Sequence, residues 1–176
     1  MLNAAVIGVG AMGKNHARIY FDIDNINLLA VADTDEKKAK NIAKKYGCKA
    51  YTDYKEMLSN ESLDIVSVAV PTQMHKEVAF DAIKKGINVL IEKPIAPSVK
   101  EGKEIIDFAE GKNVKLMIGH IERFNPAIIE LKRRLAENEL GKVFKIDINR
   151  IGTFPNRIRD VCVVNDLAVH DLDLIS

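Results

Sequence analysis

The segment Gly8-Val9-Gly10-Ala11-Met12-Gly13 stands where an apolar run ends and an amphipathic stretch begins. Few folds tolerate Gly-x-Gly-x-x-Gly at a strand-to-helix junction, because each glycine has its own steric duty. The first permits a tight turn, the second lets backbone approach a pyrophosphate, and the third lets the helix pack closely on the sheet. The helix that follows presents unpaired amides and a partial positive charge to phosphates. Asp33 lies about 20 residues beyond Gly13, at the close of the next apolar run. An acidic side chain there accepts hydrogen bonds from an adenosine ribose and repels a 2′-phosphate. These features predict a dinucleotide-binding Rossmann domain, with Gly8, Gly10, Ala11, Met12, Gly13 and Asp33 at the cofactor. They favour NAD over NADP, although Lys37 and Lys38 close by weigh toward the phosphorylated form.

The rest of the chain keeps the rhythm that such a domain needs. Apolar runs at 2–7, 26–32, 48–51, 65–70, 89–91 and 114–118 alternate with helix-like stretches at 11–23, 35–46, 54–59, 76–85 and 98–110. The runs lack the polar alternation of a half-exposed sheet, as expected when helices cover both faces of a parallel one. Gly86 stops one helix, and Ser98 with Glu101 forms a capping-box pattern at the start of another. The predicted fold class is α/β, a doubly wound parallel sheet over residues 1–119. Beyond Gly119 the pattern changes to a charged helix at 125–138, a strand at 143–151, a loop holding Pro155, Arg157 and Arg159, and a helix from Asp166. Residues 120–176 read as the truncated start of an α+β substrate and oligomerisation domain. A lone strand leaves its backbone amides and carbonyls unpaired, so a further sheet or another copy is expected to complete it.

Composition narrows the partners. Lys plus Arg number 26 against 25 Asp plus Glu, a net charge of +1, so no global field recruits nucleic acid or anionic lipid. Apolar runs are too short to span a membrane, and the N-terminus enters a strand without a basic leader segment, which points to a cytoplasmic protein with a small-molecule ligand. Cys48 and Cys162 belong to no Cys-x-x-Cys pair, so reduced, incidental thiols are expected.

Three further motifs follow in order: Pro71-Thr72 with His75 after the fourth strand, Glu92-Lys93-Pro94 closing the fifth, and Asp166-x-x-x-His170 opening the last helix. With Gly119-His120-Ile121-Glu122-Arg123-Phe124-Asn125-Pro126 at the junction, they make the chain resemble the glucose-fructose oxidoreductase and inositol dehydrogenase family, Gfo/Idh/MocA, over essentially all 176 residues. The junction segment looks most like members acting on nucleotide-linked amino sugars. The resemblance implies that Lys93 approaches the reacting hydroxyl, Asp166 helps position substrate, and His170 serves as acid or base. It also places Pro71, Thr72, His75, Glu92 and Lys93 beside NAD and implies a cis peptide before Pro94. A sugar, cyclitol or nucleotide-sugar substrate and a homo-oligomeric full-length protein follow from the same resemblance. Members continue into a large open sheet, so the chain alone is expected to hold dinucleotide with little turnover.

The chemistry of these side chains suits the implied roles. Histidine exchanges protons near neutrality, and alcohol oxidation needs a proton acceptor as hydride leaves carbon. A four-residue spacing on a helix puts Asp166 and His170 on one face. Lys93, at the carboxyl end of a parallel strand, can stabilise a developing alkoxide. Plainer readings stand beside these. Asp166 also suits a helix cap, His170 a solvent-facing position, and Lys93 an ordinary strand-end lysine. His16 and His75 suit structural or cofactor-edge positions rather than catalysis. His120, Arg123, Asn125 and Arg157 are candidate substrate contacts, the arginines through bidentate grips on a diphosphate, although solvated surface charge explains each equally well. A metal site of His120, His170, Asp171 and Asp173 lacks a compact ligand motif, so no metal is expected. The leading function is an NAD-dependent dehydrogenase acting on a secondary hydroxyl. A non-catalytic NAD-binding sensor or scaffold is the alternative, since a Rossmann fold does not by itself fix function. A homoserine-type or imine reductase fits less well with Glu92-Lys93-Pro94.

Overall fold

Six apolar runs pair into one parallel sheet in the order β3-β2-β1-β4-β5-β6, in a computed structural model that describes residues 1–149, 151 and 164–176, without the side chains of 165 and 166. The strands are β1 (Leu2–Ile7), β2 (Ile26–Ala32), β3 (Lys49–Tyr51), β4 (Ile65–Val68), β5 (Asn88–Ile91) and β6 (Leu116–Ile118). Five helices connect them: α1 (Gly13–Asp22), α2 (Glu36–Tyr46), α3 (Tyr54–Asn60), α4 (His75–Lys84) and α5 (Val99–Gly111). The strand order reverses between β1 and β4, which opens the crevice where doubly wound sheets hold ligands.

Side-chain alternation explains why both faces are covered. Ala4 and Val6 of β1 join one core cluster with Leu28, Val31, Ala17, Tyr20 and Ala43, so α1 and α2 cover that face. Ala5 and Ile7 point the other way, into a larger cluster with Val66, Val68, Val89, Ile91 and the apolar sides of α3, α4 and α5. Leu28 and Val31 share a face although three residues apart, because the β1–β2 register slips between Ala4 and Ala5 and leaves Leu29 as an extra residue. The helices are built as amphipathic units. In α1 the buried residues are Gly13, Ala17 and Tyr20, one stripe at helical spacing. Asp35 caps α2 by accepting from the Lys37 and Lys38 amides, and Gly47 ends it in the left-handed conformation. Ser98 caps α5 at the Glu101 amide, and its hydroxyl also meets the Glu101 carboxylate. Cys48 is half-buried and free, and burial pushes its thiol up to about 11.

The chain divides into two compact units, Met1–Gly119 and His120–Ser176. In the second, Asn125 caps α6 (Pro126–Ala136), with proline at the helix start, where its missing N–H costs nothing. A π-helical turn at Val164–Ala168 runs into α7 (Val169–Ile175). The strand expected at 143–151 is not formed by residues 143–149 or 151. Its alternation is real, yet Val143, Phe144, Ile146 and Ile148 are all exposed and, among the described residues, no neighbouring strand pairs with them. A single strand gains no ladder hydrogen bonds, so the pattern alone does not make one. Among the described residues, no helix is long and apolar enough to cross a membrane.

Candidate active site

The glycine-rich turn between β1 and α1 shows three different reasons for glycine. Gly8 has φ of 84°, and a Cβ there would lie 2.6 Å from the Ala69 carbonyl oxygen. A Cβ on Gly13 would sit 1.7 Å from the Gly8 oxygen, so the helix could not begin where it does. Gly10 is the exception, because a Cβ there would meet nothing within 4 Å and its φ is not left-handed. The fold itself does not need that glycine. Gly10 and Ala11 are exposed, Met12 half-buried, and α1, with Met12 at its N-cap position, has no side-chain cap and no acidic residue in its first turn. An open approach to an uncapped helix N-terminus suits a dinucleotide pyrophosphate, since no carboxylate competes for the amides.

Asp33 follows β2 and uses both carboxylate oxygens. Oδ2 accepts from the Val9 amide at 2.9 Å and Oδ1 from the Asp35 amide at 2.9 Å. It therefore ties the glycine-rich turn to the end of β2, a duty that sequence reasoning did not foresee. Lone pairs remain for ribose hydroxyls, because an ionised carboxylate offers about four acceptor sites.

Beyond β4, Pro71 leads into a short 3-10 turn at Thr72–Met74 and then α4, with Thr72 buried. His75 is 1% exposed. Its Nε2 lies 2.9 Å from the Val70 carbonyl oxygen, and Nδ1 lies 3.0 Å from that of Pro94 and 3.3 Å from that of Ile95. The ring thus fastens the turn after β4 to the Glu92-Lys93-Pro94 turn after β5. Of the two positions expected for His75, structural or cofactor-edge, the geometry fits the structural one, since both ring nitrogens lie against backbone carbonyls. Burial lowers its pKa, and the hydrogen bonds to those carbonyls oppose the shift. The Lys93–Pro94 peptide is cis. Lys93 is half-buried, and its amide donates to Glu92 Oε2 at 3.3 Å. Glu92 is itself 7% exposed, with Oε1 2.8 Å from His16 Nε2.

In the second unit, Arg123 grips Asp173 of α7. Nε donates to Oδ1 at 3.0 Å and to Oδ2 at 2.8 Å, and Nη2 donates to Oδ1. His120 Nδ1 lies 3.6 Å from Asp173 Oδ2. The guanidinium holds the Asp173 carboxyl below the usual range, against the opposing effect of desolvation, and His120 adds to the lowering. Arg123 is therefore committed to a carboxylate of its own chain rather than waiting for a diphosphate. Asn125, another substrate candidate, spends its side chain on the α6 cap and on Glu122. His170 lies half-buried in the first turn of α7. Asp166 lies in the preceding π turn, so the four-residue spacing crosses a junction between two helix types, and one uniform helical face does not describe it. Nor does Asp166 cap α7, whose cap residue is Ala168. Arg157 and the Asp166 side chain lie outside the described residues, as do Arg150, Arg159 and Cys162. Among the described residues, no group of three or more His, Cys, Asp or Glu could hold a metal ion.

Two residues gain importance only in three dimensions. Ser67, in the middle of a buried strand, meets His16 on α1, and His16 in turn meets Glu92. The sequence signal was available: a serine inside Ile65–Val68 is a polar group that must find a partner once buried.

Comparison with known proteins places this geometry. Residues 2–120 match the model of the Gfo/Idh/MocA oxidoreductase family, NAD-binding Rossmann fold. UDP-N-acetylglucosamine 3-dehydrogenase of Acidithiobacillus ferrooxidans is 34% identical over 98% of this chain and 53% of its own length. Its crystal structure superposes with a TM-score of 0.87, covering 98% of this chain and 55% of that one. Inositol 2-dehydrogenase 4 of Saccharopolyspora erythraea is 32% identical over 98% of this chain and 52% of its own. A structure of GenD2 from gentamicin A biosynthesis in complex with NAD is 30% identical, with a TM-score of 0.76 over 78% of this chain and 40% of that one. The chain spans about half the length of the curated relatives it matches. With the family's Rossmann domain matched from the first strand through the last, the chain belongs to the Gfo/Idh/MocA oxidoreductase family.

Proposed function

We propose that this chain is the nucleotide-binding part of an NAD-dependent dehydrogenase that oxidises a secondary hydroxyl of a sugar, cyclitol or nucleotide sugar, with UDP-N-acetylglucosamine at C3 as the leading substrate. The observation that carries the reading is Gly10, whose missing side chain faces open space beside an uncapped helix N-terminus. Gly8, Ala11, Met12 and Gly13 shape that approach, Gly8 abuts Ala69 and Val70 just after β4, and Pro71 and Thr72, next along the chain, are assigned to the cofactor. Bound NAD supplies the hydride acceptor. Asp33 accepts from the adenosine ribose, and its charge disfavours a 2′-phosphate, so NAD is preferred to NADP. Lys93 stabilises the developing alkoxide, His170 takes the hydroxyl proton, and Asp166 orients the sugar. The relatives that act on UDP-N-acetylglucosamine and on inositol support the substrate class.

Calorimetric titration with NAD and NADP tests the cofactor half. NAD should bind at least tenfold more tightly, and equal affinities would remove Asp33 from the ribose. Adding UDP-N-acetylglucosamine or myo-inositol to the NAD complex tests the substrate half. In a chain with the family's open sheet restored, Lys93→Ala should leave NAD affinity within about twofold and abolish hydride transfer, as NADH absorbance reports; unchanged transfer would take Lys93 out of the mechanism.

A further inference from the structure

Behind Lys93 runs a line of hydrogen-bonded side chains that the reaction above does not use. Tyr20 Oη lies 2.7 Å from Ser67 Oγ, Ser67 Oγ lies 3.2 Å from His16 Nδ1, and His16 Nε2 lies 2.8 Å from Glu92 Oε1. Glu92 Oε2 then accepts from the Lys93 amide. The four side chains come from α1, β4 and the end of β5. Ser67 is 0% exposed, Tyr20 6% and Glu92 7%. Gly119 closes the far side of the carboxylate, since a Cβ there would lie 3.4 Å from both Glu92 oxygens.

For a neutral His16 ring, donor and acceptor bookkeeping gives one orientation. A carboxylate only accepts, so His16 Nε2 carries the proton and donates to Glu92. A neutral ring then has a bare Nδ1, which accepts from Ser67, and the Ser67 oxygen accepts from Tyr20. Every donor is used once and all point toward Glu92. Burial raises the Tyr20 phenol, which keeps its proton in place as the first donor.

Ser, His and Glu in this order also occur in hydrolases, but Ser67 is sealed between sheet and helix, where no substrate reaches it. Proton export is equally closed, because the line ends blind at Tyr20. Its single outlet is Glu92 and, through it, the Lys93 amide.

We propose that His16 is a positioning residue: through its Nε2 it fixes the Glu92 carboxylate, which in turn sets the Lys93 turn against which NAD is bound. The proposal rests on the functional reading above, so its test must fail separately from that reading.

Two substitutions divide the ring in half. In His16→Gln the longer side chain carries an amide donor to Glu92 and abandons Ser67. In His16→Asn the shorter one reaches Ser67 and abandons Glu92. His16→Asn leaves a buried carboxylate short of a donor and should melt lower than His16→Gln, which leaves only the Ser67 hydroxyl to re-pair, so affinity is compared with melting temperature in each variant. NAD affinity by calorimetry should stay within about threefold in His16→Gln and drop at least tenfold in His16→Asn. The Lys93 amide resonance should hold its place in the first and move in the second. Equal losses of affinity in the two variants would reduce His16 to a packing residue and overturn the proposal. Should the unsubstituted chain bind no NAD, the functional reading fails, and the Lys93 resonance alone decides the positioning claim. If neither variant folds, nitrogen-15 spectra of the unsubstituted chain decide it: neutral His16 should carry its proton on Nε2, and a proton on Nδ1 would sink the chain of donors.

Discussion

Gly10→Ala and Gly13→Ala form a pair in which one letter changes ligand binding and the other changes the fold. At Gly10 the new Cβ meets nothing within 4 Å and the backbone is not left-handed, so the native state accepts it without strain. Replacing glycine at such a position trims the freedom of the unfolded chain and stabilises by about 0.4–1 kcal/mol. For a chain of this size, 1 kcal/mol moves the melting temperature by roughly 2–4 °C, so Gly10→Ala should melt at or slightly above the unsubstituted chain. At Gly13 the Cβ would lie 1.7 Å from the Gly8 carbonyl oxygen, a backbone atom that can move only with the turn. Overpacking usually costs about 1–3 kcal/mol, and a clash this deep against backbone belongs at or above the top of that range. Gly13→Ala should therefore melt about 6 °C or more below the unsubstituted chain. NAD affinity reverses the order for Gly10, because the same Cβ occupies the approach of the pyrophosphate. At least a tenfold loss is expected, equivalent to about 1.4 kcal/mol. Differential scanning fluorimetry and calorimetric titration on the same preparations provide both readouts. Undiminished NAD affinity in Gly10→Ala, or destabilisation equal to that of Gly13→Ala, would refute the assignment of the empty space to a phosphate.

Other sites give independent checks. Asp33→Ser removes the acceptor of two backbone amides as well as the ribose contact, so it should lower stability by about 2 kcal/mol in a denaturant titration, weaken NAD, and narrow the gap to NADP; intact stability would mean that the Val9 tie is idle. Arg123 holds the Asp173 pKa below the ordinary 3.8, so the folded state binds its proton less readily than the unfolded state. The resulting stabilisation is present above the ordinary carboxyl value and fades as pH falls through the lowered one. Between pH 6 and 2.5 the melting temperature of Asp173→Asn should therefore decline less steeply than that of the unsubstituted chain, and parallel curves would contradict the pairing. Burial raises the Cys48 thiol from 9.0 to about 11, which cuts its thiolate fraction at pH 7.5 roughly 100-fold. In a Cys162→Ser background, iodoacetamide should modify Cys48 slowly until denaturant is added, as mass spectrometry will show; rapid native labelling would mean an open thiol.

The Rossmann sheet was legible because its strands are buried on both faces, so each appears as an apolar run with no need of a partner's sequence. Boundaries moved by a residue or two where the ladder, rather than the apolarity, ends: the run at 65–70 pairs only through Val68, and the helix expected from Ala11 starts at Gly13. The second unit was less legible, since its local signals depend on packing partners that local patterning does not name. Residues 143–151 alternate as a strand should, yet among the described residues no neighbouring strand offers residues 143–149 a ladder to join. The turn at Val164–Ala168 takes π geometry that no residue type announces.

At the site, the glycines and Asp33 were readable because a phosphate imposes fixed spacing on a single turn. The carbonyl partners of His75 and the Asp173 partner of Arg123 were not, for a different reason. Histidine and arginine in a functional motif invite ligand roles, but a buried histidine can bind carbonyls and an arginine can bind a carboxylate of its own chain. Arg123 finds Asp173 fifty residues away, and His16 finds Glu92 at a separation of 76, distances at which local patterning carries no information. What the sequence could have offered is a constraint rather than a pairing. Glu92 ends a strand buried between helices, and a carboxylate there is costly unless something donates to it. Few donors can reach that strand end, and α1 begins beside it. The glycine-rich turn that opens the phosphate approach is thus also what delivers His16 to Glu92, so the cofactor end of the sheet and the Lys93 turn are held by one helix.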